Sequence, residues 1–508
     1  MRDAGEIRAS IETFVANARQ PALYEAGEDL FPLAPDNFSL EMRGSRLTLE
    51  AWDRTRNFSR RILSIEKADS ARVEMVVERF ARREGRLFLV DLARPAGADA
   101  GRRSTRLVFR ERFRMFLRRQ FPEWELAEVS AEANLAASLS PAFPRAFLRH
   151  GQHGWAALAC PPDGDAAAGL SFGLIWLTHL RAREKRVTVE GLAIYVPAGR
   201  ERGVAPRLLC LDPGAARFEL FTYTDEDYVA AVDPGDYGNL DTRLEPWRGR
   251  GGSGMHAGGS GMPDPYGEGE AGVWERIASM PGVERVTKHD GRESWRVRGV
   301  EFAELSGGEL AFGMGERRPA GRHHAGEIAR LVEELERART PGAADREHPL
   351  YRVAPEAWLE SQARAAIETL DASLLREPVY GQTPVIAGGE RGVVDLLAVD
   401  HSGRLVVVEL KASADLHLPL QALDYWIHVK WHLDRGEFTP AGYFPGIALR
   451  SDPPRLLLVS PSLEFHSTTE SILSYFPPSI EVQRVGLAVE WRQGLRVMFR
   501  LDGAERPR

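Results

Sequence analysis

The sequence has few cysteines, no long apolar run and no excess of basic residues, and each deficit excludes a class of protein. Its two cysteines, Cys160 and Cys210, lie far apart in apolar surroundings, so we expect buried thiols in a reducing compartment, without a disulfide framework or a zinc site. No segment is apolar over the thickness of a bilayer and residues 1–20 show no signal-peptide pattern, so we expect a cytoplasmic protein without membrane contact. The net charge of -7 excludes a chain that coats nucleic acid through bulk electrostatics, so such contact needs a local patch or a bound metal.

Glycine is concentrated in one stretch that divides the chain. Residues 249–272, GRGGSGMHAGGSGMPDPYGEGEAG, are too poor in core-forming residues for a packed element. A second break, TPGAADREHP at 340–349, follows a charged helical pattern over 327–339. We therefore predict four parts: an N-terminal α+β accessory region for substrate or protein-partner binding at 1–248, a flexible linker at 249–272, a connecting segment with a charged helix at 273–348, and a last domain at 349–508.

The N-terminal region mixes strand and helix patterns. Apolar and polar residues alternate over 38–42 and 46–52, which predicts a hairpin. The spacing becomes helical over 107–117, with Phe109 and Phe113 on one face. Further patterns predict strands at 73–80, 87–92, 187–196 and 207–211, and a helix at 174–180. No motif in this region dictates a function.

In the last domain, two adjacent predicted strands carry charged residues. The predicted elements are, in order, a helix at 355–370, strands at 379–386, 393–399 and 404–411, and a helix at 418–433. Side chains two apart on a strand point to the same face, so Glu409 and Lys411 project together. If the second and third strands pair as a hairpin, Asp395 comes within reach of Glu409.

Two carboxylates at that separation repel each other unless a divalent cation lies between them. Oxygen ligands select Mg²⁺ or Mn²⁺, and such a cation polarises a phosphate and lowers the pKa of a bound water. We therefore expect Asp395 and Glu409 to bind the metal, with the backbone carbonyl of Leu410 as a further ligand. Lys411 would then orient the water or help to deprotonate it.

The helix predicted at 418–433 repeats polar residues on one stripe, at Gln421, Tyr425, His428 and His432. The intervening apolar residues are sufficient to dock the helix on a sheet. We interpret the two histidines as packing or solvated residues. Gln421 and Tyr425 fit either a polar surface or a functional site.

Three short motifs occur in order: Gly392-Val393-Val394-Asp395 matches GxxD, Glu409-Leu410-Lys411 matches ExK, and residues 421–425 match QxxxY. The series resembles the RecB-like branch of the PD-(D/E)XK nucleases, and also the C-terminal domain of single-strand-junction and mismatch endonucleases. The likeness covers about residues 355–431. It implies a restriction-endonuclease-like αβββαβ core within a mixed α/β chain, and a site that includes Gln421 and Tyr425.

The resemblance also implies a glutamate on the first helix of that core as a further metal ligand. Glu356, Glu360 and Glu368 are the alternatives in this sequence. We favour Glu360, because it follows Trp358-Leu359, which we expect to face the core.

The last domain has no electrostatic footprint for nucleic acid, since residues 349–508 contain 16 Lys and Arg against 20 Asp and Glu. Residues 102–119 contain eight arginines and one acid, and a helix there would either grip phosphates or present a solvated face. Its candidate nucleic-acid contacts are Arg102, Arg103, Arg106, Arg110, Arg114 and Arg118. A smaller candidate patch comprises Arg54, Arg56, Arg60 and Arg61.

These observations predict an Mg²⁺- or Mn²⁺-dependent phosphodiesterase that cuts DNA through a metal-activated water. The alternative is a protein that binds nucleic acid or acts as a scaffold without cutting. RNA as substrate is not separated from DNA by these residues, because the site contacts phosphate and not sugar. The sequence leaves the oligomeric state open.

Overall fold

A computed structural model describes residues 3–25, 30–34, 36–44, 46–52, 57–78, 84–240, 242–249, 271–387 and 390–505. The predicted linker at 249–272 lies almost entirely outside these residues, as do Arg54 and Arg56. The chain forms two compact units, the first comprising Met1–Asp165, His179–Ala198 and Phe221–Ala231, and the second comprising Ala166–Thr178, Gly199–Leu220 and Val232–Arg508. The four-part division derived from the sequence remains a prediction.

The first sheet is antiparallel and belongs to the first unit. Its elements are α1 Ala4–Asn17, β1 Pro21–Glu25, β2 Phe31–Pro32, β3 Phe38–Arg43, β4 Arg46–Trp52, β5 Asn57–Ala68, β6 Arg72–Glu78 and β7 Glu84–Asp91. The strand order is β2-β1-β7-β6-β5-β4-β3. The predicted hairpin is confirmed, because β3 pairs with β4 and places Leu40 opposite Leu49. Alternate residues of β4 are buried against Ile7 and Ile11 of α1.

A second sheet has the order β13-β12-β11-β10-β9-β8. The elements of this part are α2 Pro95–Gln120, β8 Glu125–Ser130, β9 Arg145–His150, β10 His153–Ala159, α3 Ala166–Arg183, β11 Thr188–Pro197, α4 Ala205–Leu209, β12 Arg217–Tyr223 and β13 Val229–Val232. Phe109, Phe113 and Phe116 bury one face of α2 in the core of this sheet. The strand predicted at 207–211 is wrong: the short helix α4 occupies this segment, with Pro206 in its first turn, where a missing amide hydrogen costs nothing.

A five-stranded antiparallel sheet in the second unit has the order β15-β16-β17-β18-β19. The next elements along the chain are β14 Thr242–Leu244, α5 Ala271–Ala278, β15 Val283–Thr287, β16 Glu293–Val297, β17 Val300–Ser306, β18 Glu309–Phe312, β19 Arg318–Pro319 and α6 Ala325–Ala338. Trp295 and Phe302 pack against Ile328 and Val332 of α6. The helix predicted at 327–339 is thereby confirmed.

The last sheet has the order β14-β20-β21-β22-β23-β24-β25. Its further elements are α7 Pro349–Arg352, α8 Pro355–Ala365, α9 Ile367–Leu370, β20 Tyr380–Ala387, β21 Glu390–Val399, β22 Leu405–Leu410, α10 Leu418–Asp434, β23 Arg455–Pro461, α11 Thr469–Leu473, β24 Val482–Leu487 and β25 Val497–Asp502. The strands β20, β21 and β22 form an antiparallel meander, and β22, β23 and β24 are parallel. The helix predicted at 355–370 is interrupted at Ala366, whose φ of -139 and ψ of 49 are not helical.

The central strands of this sheet are buried on both faces. Leu396 and Val408 belong to the core that contains Trp358 and Leu359 of α8. The alternating residue Leu397 is also fully buried, on the face against which α10 lies. Among the described residues, no helix combines the length and apolar character that crossing a bilayer requires. The chain is therefore a mixed α/β protein, as predicted, with several sheets, and its last sheet carries Asp395 and Glu409.

Candidate active site

Asp395 and Glu409 lie opposite each other at the end of the β21–β22 hairpin. Leu396 pairs with Val408, so the antiparallel register places Asp395 against Glu409 at the next position. Side chains alternate along a strand, so both acids project to the face opposite Leu396 and Val408. There the amide of Leu410 donates a hydrogen bond of 2.9 Å to Asp395 Oδ2.

Glu409 is buried without full compensation. Its side chain is 1% exposed, and its Oε1 lies 3.6 Å from Lys411 Nζ. Among the residues that the structure describes, neither of its carboxylate oxygens makes a hydrogen bond. A buried carboxylate normally has such partners, so Glu409 is an exception that calls for an explanation.

Lys411 stands just beyond β22. Its backbone amide donates a 3.0 Å hydrogen bond to the carbonyl of Val459 in β23, which fixes the start of its side chain. The amine also lies 3.9 Å from Asp415 Oδ2, with the lysine side chain 14% exposed. Asp415 is not among the residues predicted from the sequence, although its spacing of four residues from Lys411 indicates such a contact.

Burial raises the proton affinity of both acids. Burial raises the pKa of Asp395 to about 6, and the negative charge of Glu360 contributes to this shift. Burial raises the pKa of Glu409 well above its ordinary value, and the negative charge of Asp395 adds to the effect. The pair therefore needs a proton or a cation to be stable at neutral pH.

Tyr425 and Gln421 project from α10 toward the same pair of acids. Gln421 Nε2 donates a hydrogen bond of 3.2 Å to the hydroxyl of Tyr425. Burial raises the pKa of Tyr425 to about 12, and the charge of Glu409 is the next cause. The phenol consequently keeps its proton at neutral pH and can donate it in a hydrogen bond.

The two histidines of α10 have other surroundings. His432 is buried, with Nδ1 2.5 Å from Glu437 Oε2, and its Nε2 lies 3.3 Å from the hydroxyl of Thr242. Burial lowers the pKa of His428. Both side chains are buried, so of the two roles expected for them, packing or solvated, the structure agrees with packing.

Glu360 does not join the two acids. Among Glu356, Glu360 and Glu368, only Glu360 is buried. Its Oε1 accepts a hydrogen bond of 3.0 Å from Arg364 Nη1, one turn further along α8, and its Oε2 lies 3.9 Å from Arg296 Nη1. Within the described part of the chain, no group of three or more His, Cys, Asp or Glu side chains is arranged to hold a metal ion. Arg364 was detectable from its spacing of four residues, whereas Arg296 comes from a distant strand.

The residues present are suited to a hard divalent cation. Asp395 and Glu409 supply carboxylate oxygens, and those of Glu409, which make no hydrogen bond among the described residues, could coordinate such an ion. The side chain of Leu410 is buried in the hydrophobic core, so this residue contributes to the site through its main chain.

The arginine-rich helix is α2, in the first unit. Arg102 pairs with Asp99, and Arg110 and Arg114 pair with Glu111. Arg103, Arg106 and Arg118 have no ion-pair partner among the residues described, and Arg103 and Arg118 are exposed. In the smaller candidate patch, Arg60 pairs with Glu25 and Arg61 with Glu78, so these two arginines are already neutralised.

No protein family matches this chain, and no curated protein matches it.

Proposed function

We propose that the chain is a metal-dependent phosphodiesterase that cuts DNA, with a last domain of the PD-(D/E)XK, restriction-endonuclease-like type. The order of α8, β20, β21, β22, α10 and β23 supports this assignment, since it is the helix, three strands, helix and strand that the motifs imply. Asp395 and Glu409 lie on the neighbouring strands β21 and β22, Lys411 follows β22, and Gln421 and Tyr425 lie on α10.

One observation carries the proposal: Glu409, 1% exposed and without a hydrogen bond among the described residues, lies opposite a second acid, Asp395, that is itself partly buried. Burying two neighbouring carboxylates is costly unless a proton or a cation compensates them. A scaffold gains nothing from this arrangement, because a hydrophobic pair at the same position would be more stable. A divalent cation bound by both acids accounts for it.

In this site, Asp395 and Glu409, with the carbonyl of Leu410, would hold Mg²⁺ or Mn²⁺. The bound cation would polarise the scissile phosphate and lower the pKa of a water molecule. Lys411 would orient the attacking water or help to deprotonate it, since its amine lies 3.6 Å from Glu409 Oε1. Tyr425, protonated at neutral pH, would donate a hydrogen bond to a phosphate oxygen, and Gln421 would orient the phenol.

Cleavage assays with single-stranded, duplex, flap and branched DNA, with Mg²⁺, Mn²⁺ or EDTA, test the proposal. We expect metal-dependent cleavage by the wild type and a loss on the order of 100-fold or more in Lys411→Ala. Lys430→Ala is the matched control, since Lys430 pairs with Asp434 on the exposed side of α10. RNA of the same sequences tests the choice of DNA. Equal rates for wild type and Lys411→Ala, or no cleavage of any substrate, would contradict the proposal.

The alternative, nucleic-acid binding or scaffolding without cleavage, is favoured by one observation: the described residues hold two neighbouring acids and not three. Calorimetric titration with Mn²⁺ separates the two functions. A scaffold should not bind the ion at Asp395 and Glu409, so Asp395→Asn should not change its titration.

A further inference from the structure

A buried cluster of charged side chains lies beside the candidate site. Arg364 Nη1 is 3.0 Å from Glu360 Oε1, and its Nη2 is 3.7 Å from Glu284 Oε2. Arg296 Nη1 is 3.9 Å from Glu360 Oε2, with side-chain exposures of 4% and 5%. Charges buried this deeply are stable only as compensated sets, so losing one member unbalances the others.

The cluster joins the five-stranded sheet to α8. Arg296 lies on β16 and Glu284 on β15, whereas Glu360 belongs to α8. The turn after β16 approaches the same helix: a Cβ added to Gly299, whose φ is +81, would lie 2.0 Å from the carbonyl oxygen of Ala357. The segment predicted as a mere connection thus packs against the helix that carries the implied third ligand.

Glu360 lies on the other face of the sheet from the two acids. A Cβ added to Gly381 would lie 2.7 Å from Glu360 Oε1, so the carboxylate occupies the space above this glycine. Gly381 pairs with Leu396, and paired residues project to one face. Since Asp395 precedes Leu396, its side chain projects to the opposite face.

We propose that Arg296 and Glu360 form a positioning pair. In this pair Glu360 is a fixed negative charge near the metal-binding acids and not a metal ligand. Arg296 and Arg364 hold the carboxylate above Gly381, and the five-stranded sheet thereby becomes part of the active centre. This inference rests on the proposed metal-dependent function. Its consequence is electrostatic: removing Arg296 leaves more negative charge beside the site.

Calorimetric titration of the full chain with Mn²⁺ tests the pair. We expect Arg296→Gln to bind Mn²⁺ at least about threefold more tightly than the wild type, because Glu360 is less compensated. The double variant Arg296→Gln/Glu360→Gln removes both charges, so its affinity should return to within about threefold of the wild type. A purely structural pair would instead weaken binding in the single variant. Thermal unfolding of each variant shows that it is folded before titration.

Two controls complete the design. Arg292→Gln removes a partly exposed arginine that directly precedes β16 and pairs with Asp290 and Glu304, and it should leave the affinity unchanged. Asp395→Asn should weaken binding at least about tenfold, because it removes a proposed ligand.

Two results would overturn this inference and leave the proposed function intact. A double variant at least tenfold weaker than the wild type would make Glu360 a ligand, and unchanged or weaker binding in Arg296→Gln would reduce the pair to a structural one. If the wild type shows no Mn²⁺ binding that Asp395→Asn removes, the proposed function itself fails.

Discussion

Asp395 accepts the backbone amide of Leu410 at 2.9 Å, across the end of the hairpin that both residues help to form. The carboxylate takes the place of the carbonyl that would continue the β ladder, so the strands part where the two acids meet. The amide favours the ionised carboxylate, but burial outweighs it and raises the pKa of Asp395 to about 6. The same hydrogen bond therefore fixes the acid in position but offsets only part of the cost of its buried charge.

We predict that Asp395→Asn stabilises the metal-free protein. The carboxyl of Asp395 holds its proton more tightly in the folded chain than in the unfolded one. The free energy of unfolding of the wild type therefore falls as pH rises from about 4 to about 6, and it stays at this lower value above pH 6. The asparagine carbonyl can still accept the Leu410 amide. In EDTA at pH 7.5, we expect the free energy of unfolding to rise by roughly 1–3 kcal/mol, measured by urea denaturation.

Excess Mn²⁺ should reverse this order, stabilising the wild type and leaving Asp395→Asn unchanged. Asp434→Asn, at an ion pair on the exposed end of α10, is the control and should show neither effect. If Asp395→Asn were less stable than the wild type in EDTA at pH 7.5, the ionised carboxylate of Asp395 would not destabilise the metal-free fold, contrary to this prediction.

Tyr425→Phe should lower the cleavage rate on the order of 100-fold with little change in stability, since the variant loses the donor proposed for a phosphate oxygen. The matched control is Tyr380→Phe. The hydroxyl of Tyr380 accepts the amide of Phe444 at 2.8 Å, so its loss should cost about 1–3 kcal/mol of stability and spare cleavage. Rates and melting temperatures of both variants separate the two roles, and equal cleavage by Tyr425→Phe and wild type would remove Tyr425 from the mechanism.

The elements that the sequence predicted well are those whose local pattern agrees with their packing. The β3–β4 hairpin alternates apolar and polar residues because one face is buried, and α6 presents one apolar stripe to the sheet beneath it. At 207–211, by contrast, a short apolar run has no period that separates strand from helix, and α4 formed. The interruption at Ala366 was equally invisible, since residues 355–370 contain no internal glycine or proline to mark it.

For the candidate site, strand periodicity predicted the most. The side-chain period of two and a short turn were enough to place Asp395 beside Glu409, because both are local properties of one hairpin. The surroundings of Glu360 were not predictable in the same way. Arg296 lies 64 positions earlier in the chain, and nothing in the local pattern of either residue encodes their contact.

Acid should weaken the junction between α9 and β23. Burial raises the pKa of Asp371, but the Ser373 amide and the Arg455 guanidinium outweigh it and hold the pKa below its ordinary value. A carboxyl with a lowered pKa stabilises the fold above its unfolded-state value, and this contribution is lost as pH falls through the folded-state value.

Asp371→Asn should accordingly lose about 1–3 kcal/mol at pH 7, and the difference from wild type should shrink below about pH 4, as urea denaturation across pH would show. The exposed pair of Arg450 and Asp452 offers the control, Asp452→Asn, for which we expect no measurable change. A pH-independent difference for Asp371→Asn would mean that packing, and not charge, sets its contribution.

The arginines of α2 should contribute to DNA binding if the protein acts as proposed. The apolar face of this helix is buried through Phe109 and Phe113, which leaves its arginine-rich side toward solvent. The variant Arg103→Gln/Arg106→Gln/Arg118→Gln removes three guanidinium groups of α2 that have no ion-pair partner in the described part of the chain. We expect weaker DNA binding, with the salt dependence of the binding constant reduced by about 0.9 for each lost phosphate contact.

The control for this variant is Arg8→Gln/Arg352→Gln/Arg450→Gln, which changes the net charge equally but removes exposed arginines that pair with Glu12, Glu347 and Asp452. Fluorescence anisotropy at several salt concentrations compares the two triple variants in EDTA, where cleavage does not interfere. Since bulk charge would act equally through both sets, a similar loss in each would show that α2 presents only a solvated face. A loss confined to the α2 variant would locate a phosphate-binding surface in the first unit.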